Sequence, residues 1–233
     1  MEGDAFVIPW ETELERIKRI HDWTIYRFLQ LLLFDTYYLT LARGTVRGTF
    51  PKPPFIIAAN HVSYFDWVVL DSLFWKSGQK DKVRFIAKKK LLSNPAWRVV
   101  VKFRQSIIVD DTPNRAAYKE MFKILHDGKV LCIFPDGKRT ASGHIEKFQE
   151  GVARLALQSK VPVVPVGLVG FFENWTRHRN LPRPLPRRME VRIGSPIETA
   201  SFSAPPQLNV LIAFTDVVKK AIEDLLDGVG VQT

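Results

Sequence analysis

Phe55-Ile56-Ile57-Ala58-Ala59 is a continuous apolar run that leads directly into the polar stretch 60–66. Five apolar residues in succession predict a strand that is buried on both faces, as in a parallel sheet. Outward from this run, further strands are predicted at 83–87, 106–109, 130–134, 161–169 and 190–193, and helices at 67–75, 94–101, 113–126, 150–158 and 208–226. Because helices and strands alternate, we expect an α/β fold with a mixed, largely parallel sheet flanked by helices.

The segment before this sheet has a different composition, and residues 11–42 are expected to be helical. Its second half is rich in aromatic residues and leucine, but Arg27 and Asp35 interrupt it, so a bilayer span is not expected. A helix that lies in the membrane interface fits this pattern, and a helix packed on the core is the alternative. We therefore expect a membrane-interface helical segment at 1–44 and one further domain at 45–233, with a Gly- and Pro-rich connector at 44–54.

Composition restricts the possible functions. Of 233 residues, 46% are hydrophobic and 25% are charged, which excludes a disordered or fibrous chain. There are 34 Lys and Arg against 24 Asp and Glu, and the resulting net charge of +10 favours a polyanionic partner. A lone cysteine, Cys132, excludes an internal disulfide. No G-x-S-x-G, Walker A or G-x-G-x-x-G motif occurs, which argues against serine hydrolases, P-loop NTPases and dinucleotide enzymes.

The polar stretch after the first strand reads Asn60-His61-Val62-Ser63-Tyr64-Phe65-Asp66. Ligand sites of α/β sheets lie at the carboxyl ends of strands. His61 is therefore a candidate general base, and Asp66 is a candidate partner for its second ring nitrogen. The two can meet only if His61 lies in a turn before a helix and Asp66 in its first turn. The same residues also fit a simple helix cap formed by Ser63 and Asp66.

A second polar turn follows a predicted strand and reads Phe134-Pro135-Asp136-Gly137-Lys138-Arg139-Thr140. A carboxylate such as that of Asp136 can accept hydrogen bonds from polyol hydroxyls. The planar guanidinium of Arg139 can bind two phosphate oxygens, and Lys138 adds a point charge. A solvated surface turn is the alternative interpretation of this stretch.

Together the two motifs resemble those of the PlsC-like 1-acylglycerol-3-phosphate acyltransferases, a glycerolipid acyltransferase family. Its hallmarks are Asn-His-x-x-x-x-Asp and Phe-Pro-Glu-Gly-Thr-Arg-Ser. The stretch 147–156 resembles the family's Phe-x-x-Gly-x-x-x-Leu-Ala helix start, and Val161-Pro162-Val163-Val164-Pro165-Val166 resembles its late strand. The four stretches occur in the family's order and cover about residues 55–170.

This sequence departs from the family pattern at several positions. Asp136 replaces a glutamate and Lys138 replaces a threonine. The family's intervening strand usually ends in Asp-Arg, whereas here it ends in Asp110-Asp111. Since Asp111 occupies the place of an acceptor-binding arginine, a lipid acceptor without a phosphate is the alternative substrate class.

The resemblance implies that His61 deprotonates the acceptor hydroxyl while Asp66 stabilises the imidazolium, without a covalent acyl-enzyme. It implies an O-acyltransferase of phospholipid biosynthesis that acts on 1-acyl-sn-glycerol-3-phosphate. It also implies no metal and no cofactor, with acyl-CoA or acyl carrier protein as the thioester co-substrate. The expected substrate-binding residues are Asp136, Gly137, Lys138, Arg139, Thr140 and Lys88.

Two basic stretches account for much of the positive charge. Residues 76–104 hold ten Lys or Arg and one Asp, and residues 177–192 hold six Arg and one Glu. Cations beside aromatic side chains suit an anionic membrane surface or the phosphates of the acyl donor, and no nucleic-acid-binding motif accompanies them. We therefore expect a peripheral or monotopic protein at the cytoplasmic face of a membrane. A non-catalytic basic membrane-binding protein is the remaining alternative, but it would need no base such as His61.

Overall fold

A seven-stranded sheet organises the chain in the computed structural model, which describes residues 37–79, 82–110, 115–179, 181–202 and 207–230. The strands are β1 (Thr45–Arg47), β2 (Phe55–Ala59), β3 (Val83–Lys88), β4 (Ile107–Val109), β5 (Val130–Ile133), β6 (Val163–Val169) and β7 (Glu190–Ile193). The helices are α1 (Asp66–Lys76), α2 (Pro95–Phe103), α3 (Arg115–His126), α4 (Gly151–Ser159), α5 (Phe171–Asn174) and α6 (Leu208–Asp227). A π-helical turn covers Tyr37–Leu41, and a 3₁₀ turn covers Lys89–Ser93.

The sheet is mixed and largely parallel, as the sequence predicts. Its strand order is β1-β7-β6-β2-β5-β3-β4, and only β6 and β7 pair antiparallel. β2 lies near the centre, with Ile57 opposite Cys132 on one side and Val164 on the other. All five residues of β2 are buried, which explains why its sequence is apolar without alternation.

Successive side chains of β2 point to opposite faces of the sheet and so serve two cores. Phe55 and Ile57 pack with α1 on one face, where Phe74 is buried. Ile56 packs on the other face with α3, α4 and α6, where Phe214 is buried. The expected arrangement of helices on both sides of a sheet is therefore confirmed.

The six predicted strands and five predicted helices are found, each within two residues of its predicted ends. The connector expected at 44–54 additionally contains β1, which pairs in parallel with β7. The three residues of β1 have half-exposed or exposed side chains and so show no hydrophobic pattern typical of a strand. This edge strand is therefore recognisable only from its pairing with the distant β7. The helix expected at 11–42 lies mostly outside the described residues. Within the described part, none of the helices combines the length and apolarity that a membrane span requires.

Candidate active site

The two polar motifs meet because β2 and β5 are parallel neighbours whose carboxyl ends lie at the same edge of the sheet. Asn60 fixes the end of β2 to β6. Its side-chain amide donates to the carbonyl of Leu168 at 3.2 Å, and its side-chain oxygen accepts the Leu168 N–H at 2.8 Å. This reciprocal pair holds the chain at the point where it leaves the sheet, immediately before His61.

His61 and Asp66 are in direct contact. The His61 Nδ1 lies 2.8 Å from the Asp66 Oδ2, and the same oxygen accepts the backbone N–H groups of Val62 at 2.7 Å and Ser63 at 2.8 Å. Amide groups can only donate, so this Asp66 oxygen acts as an acceptor throughout and the His61 Nδ1 carries the shared proton. The Nε2 of His61 is left with the lone pair that a general base needs.

The geometry that unites them is a helix start. His61 lies in the turn before α1, and Asp66 is the first residue of that helix. The carboxylate of Asp66 reaches back to the Ser63 N–H, while the Ser63 hydroxyl accepts the Phe65 N–H at 3.2 Å. These bonds close the turn before α1, but the N-cap residue of this helix is Phe65, which makes no side-chain capping hydrogen bond. The simple helix cap by Ser63 and Asp66 is therefore not found, and the turn that they close is the one that brings His61 to Asp66.

The second motif holds His61 by its backbone. The Asp136 Oδ2 accepts the His61 N–H at 3.0 Å, and the Thr140 N–H donates to the His61 carbonyl at 2.9 Å. The ring of Phe134 stacks on the imidazole with 4.2 Å between centroids. Asp136 and Thr140 are 5% and 1% exposed, and neither lines the cavity beside His61. Substrate binding by these two residues stays a prediction, whereas their contacts support a role in positioning His61.

Gly137 has a steric reason to be glycine. Its φ is +66°, and a Cβ at this position would come within 2.9 Å of the Gln149 side-chain nitrogen. The positive φ would strain an L-residue, whereas the Gln149 amide lies at the end of a flexible side chain and could move aside. The turn that carries the two neighbouring cations depends on this residue.

Burial raises the pKa of Asp136 to about 6, although the hydrogen bond from the His61 amide lowers it and the charges of Glu146 and Asp66 raise it further. A folded-state pKa above the usual 3.8 means that the folded protein holds the proton more tightly than the unfolded chain between these values. The contribution of Asp136 to stability is therefore complete below about pH 4 and is lost as the pH rises through about 6.

We expect Asp136→Asn to remove this pH dependence, because asparagine is neutral but still accepts the His61 N–H. A difference of one pKa unit corresponds to about 1.4 kcal/mol. Between pH 4 and 8 the free energy of unfolding of the parent should therefore fall by on the order of 2 kcal/mol more than that of the variant. For a chain of this size that is about 4–8 °C in Tm, which a thermal melt at each pH measures. The exposed Asp127→Asn is the matched control and should follow the parent. Parallel profiles for Asp136→Asn and the parent would contradict the assignment.

A cavity of about 850 Å³ opens beside His61. Much of its lining is apolar and comes from the sheet and from helices on both of its faces. The apolar lining residues include Trp67, Ile86, Trp97, Met121, Phe134 and Leu155. Four cations, Lys88, Lys90, Lys138 and Arg139, line it as well. An apolar space with a cationic margin suits an amphiphile that has a hydrocarbon chain and an anionic head.

Arg139 is the best placed of these cations for an anion. Its Cζ lies 3.5 Å from the centroid of the Tyr64 ring, a cation–π geometry. Its Nη1 is buried and has no hydrogen-bond partner among the described residues. The Lys138 Nζ, in contrast, lies 3.0 Å from the Glu146 Oε2 in an exposed ion pair. Lys88, at the end of β3, is exposed at the cavity.

Two features of the site were missed by the sequence interpretation, Tyr64 beneath Arg139 and Trp97 on α2, whereas Lys90 in the 3₁₀ turn belongs to the basic stretch predicted at 76–104. Their roles depend on contacts between distant segments, for which the local sequence carries no signal. Asp110 lines the cavity and lies 3.6 Å from the Lys89 Nζ. Asp111, which departs from the family pattern, lies outside the described residues.

Within the described ranges, no three His, Cys, Asp or Glu side chains lie together in an arrangement that could hold a metal ion. His61 and Asp66 are committed to each other, and Asp136 is committed to a backbone amide. The chemistry that this arrangement can perform is proton abstraction by a positioned imidazole beside an apolar cavity.

Comparison with known proteins gives a consistent result. A family model described as "Acyltransferase" matches residues 43–169, more than half of the chain. A probable 1-acyl-sn-glycerol-3-phosphate acyltransferase of Mycoplasma pneumoniae is 27% identical over 69% of this chain and 63% of its own length. The 1-acyl-sn-glycerol-3-phosphate acyltransferase alpha of Mus musculus is 26% identical over 76% of this chain and 62% of its own length. This chain thus spans about three fifths of the length of these two relatives.

One solved structure is also similar. It is that of the 1-acyl-sn-glycerophosphate (LPA) acyltransferase PlsC from Thermotoga maritima, with a TM-score of 0.62 and 26% sequence identity. The match covers 78% of this chain and 71% of the other. The matched family segment contains both polar motifs and six of the seven strands in full.

Proposed function

Because this chain belongs to the acyltransferase family, we propose that it transfers a fatty acyl group from an acyl thioester to the hydroxyl of a lysophospholipid. We take 1-acyl-sn-glycerol-3-phosphate as the acceptor, which places the reaction in phospholipid biosynthesis. The observation that carries this proposal is the His61–Asp66 pair at 2.8 Å, at the side of a cavity with apolar walls and cations.

The imidazole of His61 performs the first proton transfer. Its Nε2 accepts the proton of the acceptor hydroxyl as the hydroxyl oxygen attacks the thioester carbonyl carbon. The imidazolium that forms is stabilised by the buried carboxylate of Asp66, which contacts Nδ1. Because the backbone of His61 is held by Asp136 and Thr140, the ring needs little reorganisation in the transition state.

The second half of the reaction releases the donor. The tetrahedral intermediate collapses, the carbon–sulfur bond breaks, and the thiolate leaves with the proton that His61 received. The products are an ester and a free thiol, and the histidine returns to its starting state. No acyl group is bound to the protein at any stage, so no nucleophilic side chain is needed.

The acceptor is held at its two ends. Arg139, with a buried Nη1 that lacks a partner among the described residues, binds the phosphate, and Lys138 and Lys88 add positive charge. The hydrocarbon chain occupies the apolar part of the cavity. Since the acceptor and product are lipids, we further propose that the protein works at an anionic membrane surface on the cytoplasmic side, with acyl-CoA or acyl carrier protein as donor.

The function is tested with purified protein, an acyl thioester, and a panel of lyso-lipids that includes lysophosphatidic acid and the matching monoacylglycerol. Mass spectrometry of the products should show acylation of lysophosphatidic acid with a higher kcat/KM than that of monoacylglycerol. Preferred acylation of monoacylglycerol would support the non-phosphate acceptor instead, which Asp111 favours by its charge. Absence of any acyl transfer across the panel would contradict the enzymatic proposal.

A further inference from the structure

The loop at residues 181–188, here named the arginine–leucine loop, presents apolar side chains to solvent. Its Leu181 and Leu185 are 75% and 83% exposed, the two highest values among the exposed large hydrophobic residues of the described chain. Prolines at 182, 184 and 186 alternate with residues that carry long side chains. Proline fixes φ and so restricts the loop to few conformations.

The exposure of these leucines is not a result of a loosely attached loop. Asn174 is fully buried beneath it, and its side chain accepts the Arg187 N–H at 2.8 Å and donates to the Arg187 carbonyl at 2.9 Å. The Asn174 carbonyl accepts the Arg183 N–H at 2.8 Å, and the Tyr37 hydroxyl donates to the Arg183 carbonyl at 2.7 Å. The backbone is thus fixed on its inner side, while Leu181 and Leu185 extend away from the core.

The charged residues of the segment 177–189 have one sign. Residues 177–189 include five arginines and no Asp or Glu. Arg179, Arg187 and Arg188 are exposed. Cations beside exposed leucines are the composition of segments that lie in a membrane interface, where the apolar side chains enter the acyl-chain boundary and the cations contact headgroup phosphates.

The loop lies beside the candidate active site. The ring of Trp175 contacts that of Tyr64 at 4.9 Å between centroids, and the Trp175 Nε1 donates to the Arg179 carbonyl at 3.1 Å. The Arg177 guanidinium donates to the carbonyl of Arg139 at 3.3 Å. The segment 175–179, which precedes the loop, is therefore joined to Tyr64 and Arg139 of the candidate site.

We propose that the arginine–leucine loop docks on an anionic bilayer, with Leu181 and Leu185 inserted and with Arg187, Arg188 and the preceding Arg179 on lipid phosphates. This inference rests on the proposed function, because a lipid acceptor must pass between the bilayer and the cavity. Docking by this loop places Arg139 and the cavity next to the membrane surface. It assigns membrane contact to a segment of the main domain, apart from the aromatic N-terminal segment 1–44.

Vesicle sedimentation of the full chain tests the proposal separately from activity. The probes are phosphatidylcholine vesicles with and without phosphatidylglycerol, at low and high salt. Leu181→Ser/Leu185→Ser should bind the anionic vesicles about 10-fold more weakly than the parent, since burial of even part of two leucines is lost. Arg187→Gln/Arg188→Gln should weaken binding at low salt and have less effect at high salt. Leu208→Ser, which removes an exposed leucine from α6, is the matched control and should bind like the parent.

Docking by the loop predicts weaker vesicle binding of the leucine variant without a loss of stability. The leucine changes lie on exposed positions, so a Tm equal to that of the parent should accompany weaker binding. Unchanged vesicle binding of both double variants would overturn the proposal and assign membrane contact to other segments. Loss of activity with acyl carrier protein as donor, without any loss of vesicle binding, would also overturn it and indicate a carrier-protein surface. Vesicle binding needs no acyl transfer, so failure of the proposed function would leave this measurement interpretable.

Discussion

His61→Ala is expected to lower kcat for acyl transfer about 10²- to 10⁴-fold, the usual contribution of a positioned general base. Alanine removes the Nε2 that takes the acceptor proton, and no other imidazole lines the cavity within the described residues. Turnover of lysophosphatidic acid with a saturating thioester donor measures the effect. The backbone bonds of His61 to Asp136 and Thr140 do not involve its side chain, so the fold and the Tm should change little.

The matched control is the exposed His144→Ala, which removes an imidazole outside the cavity and should retain parental turnover. Asp66→Asn should cost as much as His61→Ala or less, because the base remains but loses the charge that stabilises its protonated form. Near-normal turnover of His61→Ala would exclude the proton transfer that we propose. A lowered Tm in Asp66→Asn would show that the hydrogen bonds it accepts from the Val62 and Ser63 N–H groups also contribute to stability.

Arg139→Ala is expected to raise the KM for lysophosphatidic acid roughly 10- to 150-fold with a smaller change in kcat. A charge-assisted hydrogen bond contributes about 1.5–3 kcal/mol, which is lost with the guanidinium. Arg139→Lys should recover only part of the affinity, since lysine cannot bind two phosphate oxygens with a planar fork. Monoacylglycerol lacks the phosphate, so its KM should be unaffected by either change. Arg115→Ala, an exposed arginine on α3, serves as the control.

Substitutions of Tyr64 provide a second test of phosphate binding by Arg139. The ring of Tyr64 lies 3.5 Å from the Arg139 Cζ and so holds the guanidinium by a cation–π contact. Tyr64→Phe keeps the ring and should keep the KM, whereas Tyr64→Leu should raise the KM for lysophosphatidic acid about 2- to 30-fold. Equal kcat/KM for lysophosphatidic acid and monoacylglycerol, unchanged in Arg139→Ala, would exclude phosphate recognition and favour the non-phosphate acceptor.

The parts of the structure that were predictable are those with a local cause. The apolar run 55–59 predicts a buried central strand because the burial of each residue follows from that residue's own hydrophobicity and needs no knowledge of its partners. The sequence also predicts that His61 and Asp66 can meet on one condition, namely that His61 lies in the turn before a helix and Asp66 in the first turn of that helix. Their separation of 2.8 Å meets that condition.

The parts that were not predictable depend on distant partners. The hydrogen bond that the buried Asp136 carboxylate accepts from the His61 amide, 75 residues away, has no signal in the local sequence. Tyr64 reads as one of the variable positions between His61 and Asp66, and only the fold places it against Arg139. β1 is recognisable only from its pairing with β7. In each case the missing information was tertiary, so no local pattern could carry it.

The antiparallel pairing of β6 with β7 has a consequence for a truncated chain. The segment 43–169 matches the family, yet it stops before β7 and α6. A fragment of that length would leave the backbone of β6 unpaired along one edge and would lack Phe214, which is fully buried in the closing helix. Unpaired strand edges are the usual starting points of aggregation. A chain that ends before residues 190–193 would therefore carry an open edge on β6 that the complete sheet closes.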